Sequence, residues 1–464
     1  MAVIALAPAK AAAHAFAARY DLPLPLSLWL AAAGLTIALS FVVFALALRR
    51  GGSASYPRLD LLRLPAARAL ARLALHALRA VSVFVFVVLI AAGLFGTQEP
   101  FRNLVPTFVW IAWWIGFTYL SATAGDLWAL LNPWKALYVW AEAIARRMRP
   151  AGRFGLRRSL PEGVGVWPAA ALLLAFGWIE IVWEGNAVPA NIAVLALGYS
   201  LLTWTGMFVF GREAWLSSGE VFTVYFGWLA RLAPSEVRAS NAAACEWNLR
   251  PPAAGLLDPR PVSTSAAFFV IIMLATVTFD GLRETPLWAV SDSLWAAAAT
   301  AGLLALPCLF ALAILGACAW MAWLTRGDAR PASAGELARL FVPTLLPIAF
   351  AYHVAHYLSY LLVAGQVVIP LASDPFGRGW DLFGTAHYKI AVGIVGARFA
   401  WYTSVIVIVL GHVLAMYVAH RLALERFSGP RIARRSQYPL AALMVGYTML
   451  SLWILAHPIV ETVK

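Results

Sequence analysis

Several residue types and motifs that would identify a common class of protein are scarce or missing in this sequence. Its three cysteines, Cys245, Cys308 and Cys318, form no CxxC pair. Such spacing indicates neither a disulfide framework nor a zinc ribbon. The chain also contains no GxSxG nucleophile elbow, no GxxxxGK[ST] phosphate loop, no GxGxxG fingerprint and no CxxCH haem-attachment motif. ATP-driven, dinucleotide-dependent and c-type haem chemistry therefore lose support.

Charged residues are scarce as well. They make up 12% of the 464 residues, whereas hydrophobic residues make up 62%. A soluble domain usually contains about a quarter charged residues. Apolar runs of roughly 20 residues recur along the chain, and each is long enough to cross a hydrocarbon core of about 30 Å. The composition therefore predicts a polytopic membrane protein.

Ten apolar segments are predicted to span the membrane. They indicate an all-α fold, a polytopic transmembrane helix bundle in which residues 26–464 form one domain behind an outward N-terminal segment, 1–25. Residues 132–148 and 220–234 are predicted to form amphipathic helices at the membrane interface, and a re-entrant segment is the alternative for the second. The predicted spans are 26–48, 80–96, 104–122, 166–184, 189–210, 264–280, 296–324, 340–363, 399–420 and 437–457.

Basic residues are concentrated in alternate loops, and this distribution orients the chain in the bilayer. Five loops contain 27 of the 35 Lys and Arg residues, so we predict that they are cytoplasmic and that both termini lie on the outer face. The lipid bilayer then accounts for the net charge of +13, and no nucleic-acid partner is needed to explain it. Abundant arginine and alanine suggest a GC-rich bacterial genome, and we expect the protein to lie in the bacterial inner membrane. The five loops are 49–79, 123–165, 212–263, 325–339 and 421–436, and the four prolines within 241–263 predict irregular coil there.

Four ionisable residues are predicted to lie at similar depth within the spans. At about 1.5 Å per residue, Glu180, Asp280, His353 and His356 lie roughly 20–24 Å above the inner ends of their helices, in the outer half of the membrane. Ionisable side chains in spans are energetically costly and commonly functional. The two histidines are three residues apart and so share one helix face. Two imidazoles with one or two carboxylates form a ligand set for a divalent transition metal such as zinc, iron or manganese.

Other interpretations of the histidines remain open at this point. Buried histidines often hydrogen-bond to carbonyls or tyrosines, so the pair could be structural. His412, roughly 14 Å above the inner end of the ninth span, could instead ligate a haem together with His353. Cleavage after residues 11–13 would make His14 an N-terminal residue that chelates copper through its amine and imidazole, with an uncleaved tail as the alternative.

Charged residues near the outer ends of the spans are further candidates. Asp280, Arg283 and Glu284 occur together in TFDGLRE, either as part of a catalytic site or as an ion-pair cluster. Arg398 lies at the outer mouth of the ninth span, where it would meet an anion or a lipid headgroup. The loop 373–389 is long and holds several charged residues, and long loops are where lids and binding residues concentrate.

Several segments resemble one known family. They are HAFAARYDLPLPLSLWL, GLFGTQEPFRNLVPTFVWIAWWIGFTYLSATAGDLWALLNPW, TFDGLRETPLW and SDPFGRGWDLFGTA. Together they make the chain similar to bacterial integral membrane proteins known as fenitrothion hydrolases, after enzymes that cleave the aryl ester of an organophosphorus insecticide. The resemblance covers nearly the whole chain, and residues 94–134 are its most specific part. It implies a phosphotriester hydrolase of the membrane but transfers no catalytic residues.

The candidate residues are compatible with such an activity. A lipophilic phosphotriester partitions into the bilayer and reaches a site in its outer half. Its hydrolysis requires a metal-activated water and a positive group near the developing phosphoryl charge. We therefore predict that the two histidines ligate the metal together with Glu180 or Asp280, and that Arg283 or Arg398 stabilises the charge.

Two functions of other classes remain open. The first is a transporter or channel in which the same histidines and carboxylates bind a metal ion or relay protons. The second is a redox membrane protein that holds haem or copper.

Overall fold

The computed structural model describes residues 20–48, 56–149, 154–241 and 244–461. Within these ranges, nine helices are long and apolar enough to cross a membrane. The remaining predicted span corresponds to a shorter apolar helix, Trp167–Ile181. These helices confirm the all-α bundle of a multi-pass membrane protein. The predicted cleavage region and His14 lie outside the described residues.

The first half of the chain alternates long helices with short ones. Helix α2 begins at Pro65, well before the apolar run that predicted a span from residue 80. A π-helical segment, Phe108–Ile115, joins α3 to α4, so that the two form one span, Leu104–Ala124. The helices are α1 (Leu26–Ala47), α2 (Pro65–Phe95), α3 (Leu104–Thr107), α4 (Gly116–Ala124), α5 (Trp128–Leu131), α6 (Pro133–Met148), α7 (Trp167–Ile181), α8 (Pro189–Phe210), α9 (Arg212–Ser218) and α10 (Val221–Leu229).

The second half supplies the centre of the bundle. In the most apolar part of the helix Thr264–Leu282, 83% of the residues are buried. The corresponding share in the other long apolar helices is 17–50%, so Thr264–Leu282 is the central helix. It packs against α7 and against the next two long helices of the chain. The helices of this half are α11 (Thr264–Leu282), α12 (Asp292–Leu324), α13 (Ala334–Phe341), α14 (Leu346–Ala364), α15 (Val368–Ser373), α16 (Ala397–Arg426), α17 (Pro430–Ser436) and α18 (Tyr438–Ile459).

The N-terminal end of helix α6 lies inside the bundle. The Asn132 side chain caps the helix by accepting from the backbone N–H of Lys135 at 3.0 Å, and Pro133 occupies the first helical position. These are typical helix-start residues. The first turns are buried along α8, where the Tyr138 hydroxyl donates to the carbonyl of Met207 at 3.1 Å. The end of α6 is exposed and basic, as its amphipathic sequence predicts.

Helix α10 is enclosed by other helices over most of its length. Its buried residues include Phe222, Val224 and Phe226, of which Val224 and Phe226 lie on nearly opposite sides of the helix. A helix lying at the membrane interface would expose one polar side. The burial therefore favours the re-entrant alternative for this segment.

Two small sheets complete the fold. Strand β1 (Tyr20–Asp21) pairs in parallel with β5 (Val460–Glu461), so the first and last described residues lie together. Strands β2 (Leu59–Asp60), β3 (Ser235–Asn241) and β4 (Ala244–Leu249) form an antiparallel sheet in the order β2-β4-β3. The prediction of irregular coil from residue 241 is therefore wrong for β4, because its backbone groups pair with two neighbouring strands.

Candidate functional site

Asp280 is the centre of a buried polar network near the end of α11. Its Oδ1 atom accepts from Nε of Arg283, one helical turn later, at 2.7 Å. Its Oδ2 atom lies 2.9 Å from Nε2 of His356 and accepts from the Tyr357 hydroxyl at 2.5 Å, both on α14. Because a buried carboxylate is costly unless it is paired, these three partners account for its position. Asp280, Arg283 and His356, all singled out in the sequence, are therefore in contact.

Close packing of α14 against α11 depends on a glycine. A Cβ atom at Gly281 would lie 2.3 Å from the hydroxyl oxygen of Tyr352. A larger residue would have to displace the Tyr352 side chain of α14 from this position. The glycine beside Asp280 thus lets the histidine-bearing helix approach the carboxylate.

His353 shares the neighbour Tyr357 with His356 but otherwise has different surroundings. Its ring lies 5.8 Å from the ring of Tyr119 and 4.7 Å from that of Tyr357, between centroids, and the carbonyl of Ile115 faces it. The residue is only 4% exposed, yet its Nε2 atom has no hydrogen-bond partner among the described residues. A buried polar atom without a partner is energetically unfavourable. The Nε2 atom is therefore free to bind a water or a ligand.

A small cavity adjoins His353. It is lined by Glu180 of α7 and by Tyr357, Trp114 and Tyr225, and its volume is about 20 Å³. A polar cavity needs roughly 10–15 Å³ to hold one water molecule. The Trp114 side chain lies within hydrogen-bonding range of the Glu180 carboxylate. Glu180 and His353, predicted to lie at the same depth, thus border one water-sized space.

The π-helical segment shapes this cavity. Trp114 and Ile115 are its last two residues, and both contribute groups to the surroundings of His353. Isolated π-helical turns are rare and occur frequently at functional sites. The extra residue per turn changes the direction of the side chains that follow, so an ordinary helical wheel of this span would misplace Trp114.

The donor set for a metal is incomplete in the described part of the chain. There, no group of three or more His, Cys, Asp or Glu side chains is placed to hold a metal ion. His353 and Glu180 reach the cavity, whereas His356 and Asp280 contact each other. Catalytic zinc sites generally use three protein ligands and one open position. Two donors of such a set are present, and a bound metal stays a prediction.

His412 does not face His353. Its Nδ1 atom lies 2.8 Å from the carbonyl oxygen of Ile408, and its ring centroid lies 5.9 Å from that of Tyr447 on α18. His353 instead contacts Tyr119 on α4. The structure therefore does not bring these two histidines together as a pair of haem ligands.

The two arginines predicted to stabilise charge occupy different places. Arg283 contacts Asp280, as described above. Arg398 is exposed at the start of α16, where its guanidinium lies 5.9 Å from the ring centroid of Tyr402. This position is next to the strand pair β1–β5, and only Arg283 belongs to the Asp280 network.

The charged residues of loop 373–389 stabilise the loop itself. Asp374 accepts from two backbone N–H groups of the turn that follows it, at 2.6 and 2.8 Å. Asp381 accepts from the backbone N–H of Ala386 and from the Ser373 hydroxyl, both at 2.9 Å. These donors, first of all the Ala386 N–H, hold the pKa of Asp381 below its ordinary value. In the structure these carboxylates accept hydrogen bonds that stabilise the turns of the loop, and they do not form a binding surface.

A second buried carboxylate, Glu220, escaped prediction from the sequence. It is fully buried and accepts from the Tyr199 hydroxyl at 2.6 Å, the Thr223 backbone N–H at 2.7 Å and the Asn132 side-chain amide at 3.1 Å. Tyr199 lies midway along α8, so Glu220 lies deep in the bundle. The helices α6 and α10 both begin here, and their positive N-terminal ends favour the negative charge. The sequence signal was a lone glutamate directly before an apolar, aromatic segment.

Comparisons with protein-family models, with curated proteins and with solved structures find no match to this chain. The function is therefore inferred from the residues and from their geometry.

Proposed function

We propose that this chain is a membrane-embedded hydrolase of lipophilic organophosphorus compounds of the phosphotriester type. The supporting observation is that His353, whose Nε2 atom has no partner within the described ranges, and the carboxylate of Glu180 border one cavity of about 20 Å³. A base beside a confined water is the minimum that hydrolysis requires. The resemblance to fenitrothion hydrolases supplies the substrate class, and an uncharged, lipid-soluble ester reaches the site from the bilayer.

In the proposed reaction the water attacks phosphorus. The water oxygen forms a bond to phosphorus, the bond from phosphorus to the aryl oxygen breaks, and the phenolate leaves. One proton of the water passes to His353 or Glu180. General-base assistance of this kind contributes roughly 10²–10⁴ in rate. Enclosure by Trp114 and Tyr225 lowers the local dielectric constant, which strengthens every charge interaction during the reaction.

The Asp280 network acts on this site through Tyr357. The Tyr357 side chain lines the cavity, and its hydroxyl donates to Asp280. Asp280 and His356 are therefore assigned positioning roles. Arg283 provides the positive charge of the network and is assigned the stabilisation of the phosphoryl oxygen that becomes negative.

A divalent transition metal is part of the proposal. Zinc, manganese, iron or copper would be held by His353 and Glu180, since an imidazole and a carboxylate are suitable donors for these ions, and the ion would then replace general-base assistance as the means of activating the water. When bound, such an ion polarises a phosphoryl oxygen and lowers the pKa of a water that it binds.

The proposed environment is the bacterial inner membrane. The basic loops are assigned to the cytoplasm and both termini to the outer face, because positively charged loops remain inside. The site then lies in the outer half of the bilayer.

A proton- or ion-coupled transporter is the second candidate, and one observation favours it. The helices α6 and α10 both begin inside the bundle and meet at Glu220, where Asn132 donates to the carboxylate at 3.1 Å. Helices interrupted at mid-membrane are common around the substrate and ion sites of transporters. Uptake of substrate or protons into liposomes, without ester cleavage, would favour this function.

The test of the hydrolase is turnover of a chromogenic aryl phosphotriester by the purified full chain. We expect Glu180→Gln to lower kcat by about 100-fold or more, because the carboxylate next to the water is lost. Glu184→Gln is the matched control, since Glu184 is exposed four residues later and should retain full activity. Equal rates for wild type and both variants, or no turnover above buffer, would overturn the assignment.

A further inference from the structure

A large apolar chamber borders the same π-helical segment that lines the small cavity. Its volume is about 810 Å³, which is within the range of about 300–1,000 Å³ typical of small-molecule sites. Its lining comes from α2, α7, α8, the π-helical span and the N-terminal ends of α6 and α10. The inner wall is aromatic, with the rings of Trp113 and Phe222 4.6 Å apart between centroids. Several helices therefore enclose the chamber, which makes it more than a shallow groove between two helices.

The dimensions of the chamber match one leaflet of a bilayer. Along α2 the lining extends from Leu78 to Ile90. At about 1.5 Å per residue this is roughly 18 Å, compared with about 30 Å for the whole hydrocarbon core. Hydrophobic residues lining the side of the chamber, such as Val81 and Leu202, are exposed and thus open to the lipid. An acyl chain can enter from this side.

The end of the chamber near Leu78 carries positive charge. Arg79 follows Leu78, and Lys135 follows the lining residue Trp134. The Arg79 Nε atom donates to the carbonyl of Leu130 at 3.3 Å, and the Lys135 Nζ atom donates to that of Ala129 at 2.9 Å. Each cation thus keeps further N–H donors for another acceptor.

Carboxylates near this end do not neutralise both cations. Within the described ranges neither Arg79 nor Lys135 forms an ion pair, although Asp126 and Glu213 lie within electrostatic range of Lys135. Arg212 is also near, but it is paired with Glu142 and Glu213, each at 2.9 Å. A negative group positioned between Arg79 and Lys135 would therefore be favoured.

We propose that this chamber binds an anionic phospholipid. One acyl chain occupies the apolar space, and the phosphate lies between Arg79 and Lys135. Apolar lining along one leaflet's depth with cations at one end is complementary to such a lipid. This binding is independent of the proposed hydrolase and concerns different residues.

Native mass spectrometry of the delipidated full chain in detergent tests the headgroup. The probes are dioleoyl phosphatidylglycerol, which is anionic, and dioleoyl phosphatidylcholine, which is zwitterionic. We expect the anionic lipid to bind at least about tenfold more tightly, and Arg79→Gln/Lys135→Gln to remove this preference, because each cation near a membrane surface contributes roughly fivefold. Arg431→Gln/Arg434→Gln, which removes two exposed arginines of α17, is the control and should retain the preference.

A second pair of variants tests the chamber itself. Gly198 lines the chamber, and a Cβ atom there would meet nothing within 4 Å, so Gly198→Phe adds an aromatic ring to the lining at a position without close neighbours. We expect Gly198→Phe to weaken binding of both lipids by at least tenfold. Gly316→Phe is the matched control, because Gly316 is likewise an exposed helical glycine with nothing within 4 Å of its Cβ position.

Either of two results would overturn the proposal. One is equal binding of the two lipids to wild-type protein. The other is unchanged binding to Gly198→Phe relative to Gly316→Phe, with all variants showing the thermal unfolding temperature of the wild type. The two variant pairs alter different regions, so a folding defect in one pair leaves the other informative.

Discussion

The Nε2 atom of His356 lies 2.9 Å from Oδ2 of Asp280, although 76 residues separate them in the sequence. His353, one turn earlier on the same helix, has an Nε2 atom without a partner in the described part of the chain and borders the cavity of Glu180. Two histidines that look equivalent in AYHVAHY therefore have different environments. His356 contacts the carboxylate of Asp280, whereas His353 borders a space that can hold a water molecule.

This difference predicts unequal effects on stability. His356→Phe should destabilise the fold by about 1–3 kcal/mol, because Asp280 loses one donor while it stays buried. His353→Phe removes no bond to a carboxylate and should cost less. Thermal unfolding in detergent compares the two, with His412→Phe as the control for placing a larger ring in a buried position. A larger loss for His353→Phe than for His356→Phe would contradict the assignment.

The sequence predicts the helices and the neighbourhood of the site for simple physical reasons. Apolar length indicates the spans, and depth along each helix places Asp280 and His356 at the same level. Residue spacing shows that two histidines share a face, but not which neighbouring helix each one meets. That depends on the approach allowed by Gly281 and on the π-helical segment, which local patterns do not reveal. Glu220 was missed because hydropathy alone does not distinguish a re-entrant helix from a surface helix.

Tyr357 connects the cavity to the charged network, and this predicts a measurable role. Tyr357→Phe should retain the fold but lower kcat by at least about tenfold, because the hydroxyl that donates to Asp280 is lost. Tyr360→Phe, three residues later on α14, is the matched control and should be neutral. Steady-state turnover of the aryl phosphotriester distinguishes them. Equal kcat values for both variants would show that the Tyr357 hydroxyl has no role in the reaction.

Glu220 is predicted to stabilise the N-terminal ends of α6 and α10. Glu220→Gln replaces a charged acceptor by an amide, so it should weaken the bonds from Tyr199 and Thr223 and cost about 1–3 kcal/mol. Glu213→Gln is the control, because the Glu213 side chain is 77% exposed. Thermal unfolding measures both. If Glu220→Gln unfolds at the wild-type temperature, Glu220 is not a structural anchor.

A loop carboxylate gives a prediction about pH. Burial alone would raise the pKa of Asp328, but the backbone N–H groups of Ser428 and Arg330 outweigh burial and hold it below its ordinary value. A lowered pKa in the folded state adds stability above the unfolded value of about 3.9, and this stability is lost as the pH falls through the folded pKa. Asp328→Asn should therefore unfold at a lower temperature than wild type at pH 7, and this gap should narrow below about pH 4. A gap that is constant with pH, like that expected for the exposed Glu162→Gln, would show that the charge of Asp328 contributes nothing.

The most direct test of a catalytic role for His353 is the initial rate of aryl phosphotriester hydrolysis by purified wild type, His353→Phe and His412→Phe. Both histidines are buried and both have an Nε2 atom without a partner among the described residues, but only His353 borders the cavity with Glu180. We expect His353→Phe to lose activity by about 100-fold or more, because a general base is removed, while His412→Phe remains near wild type. Equal activity of the two variants, with both folded, would contradict the assignment of this cavity as the catalytic site.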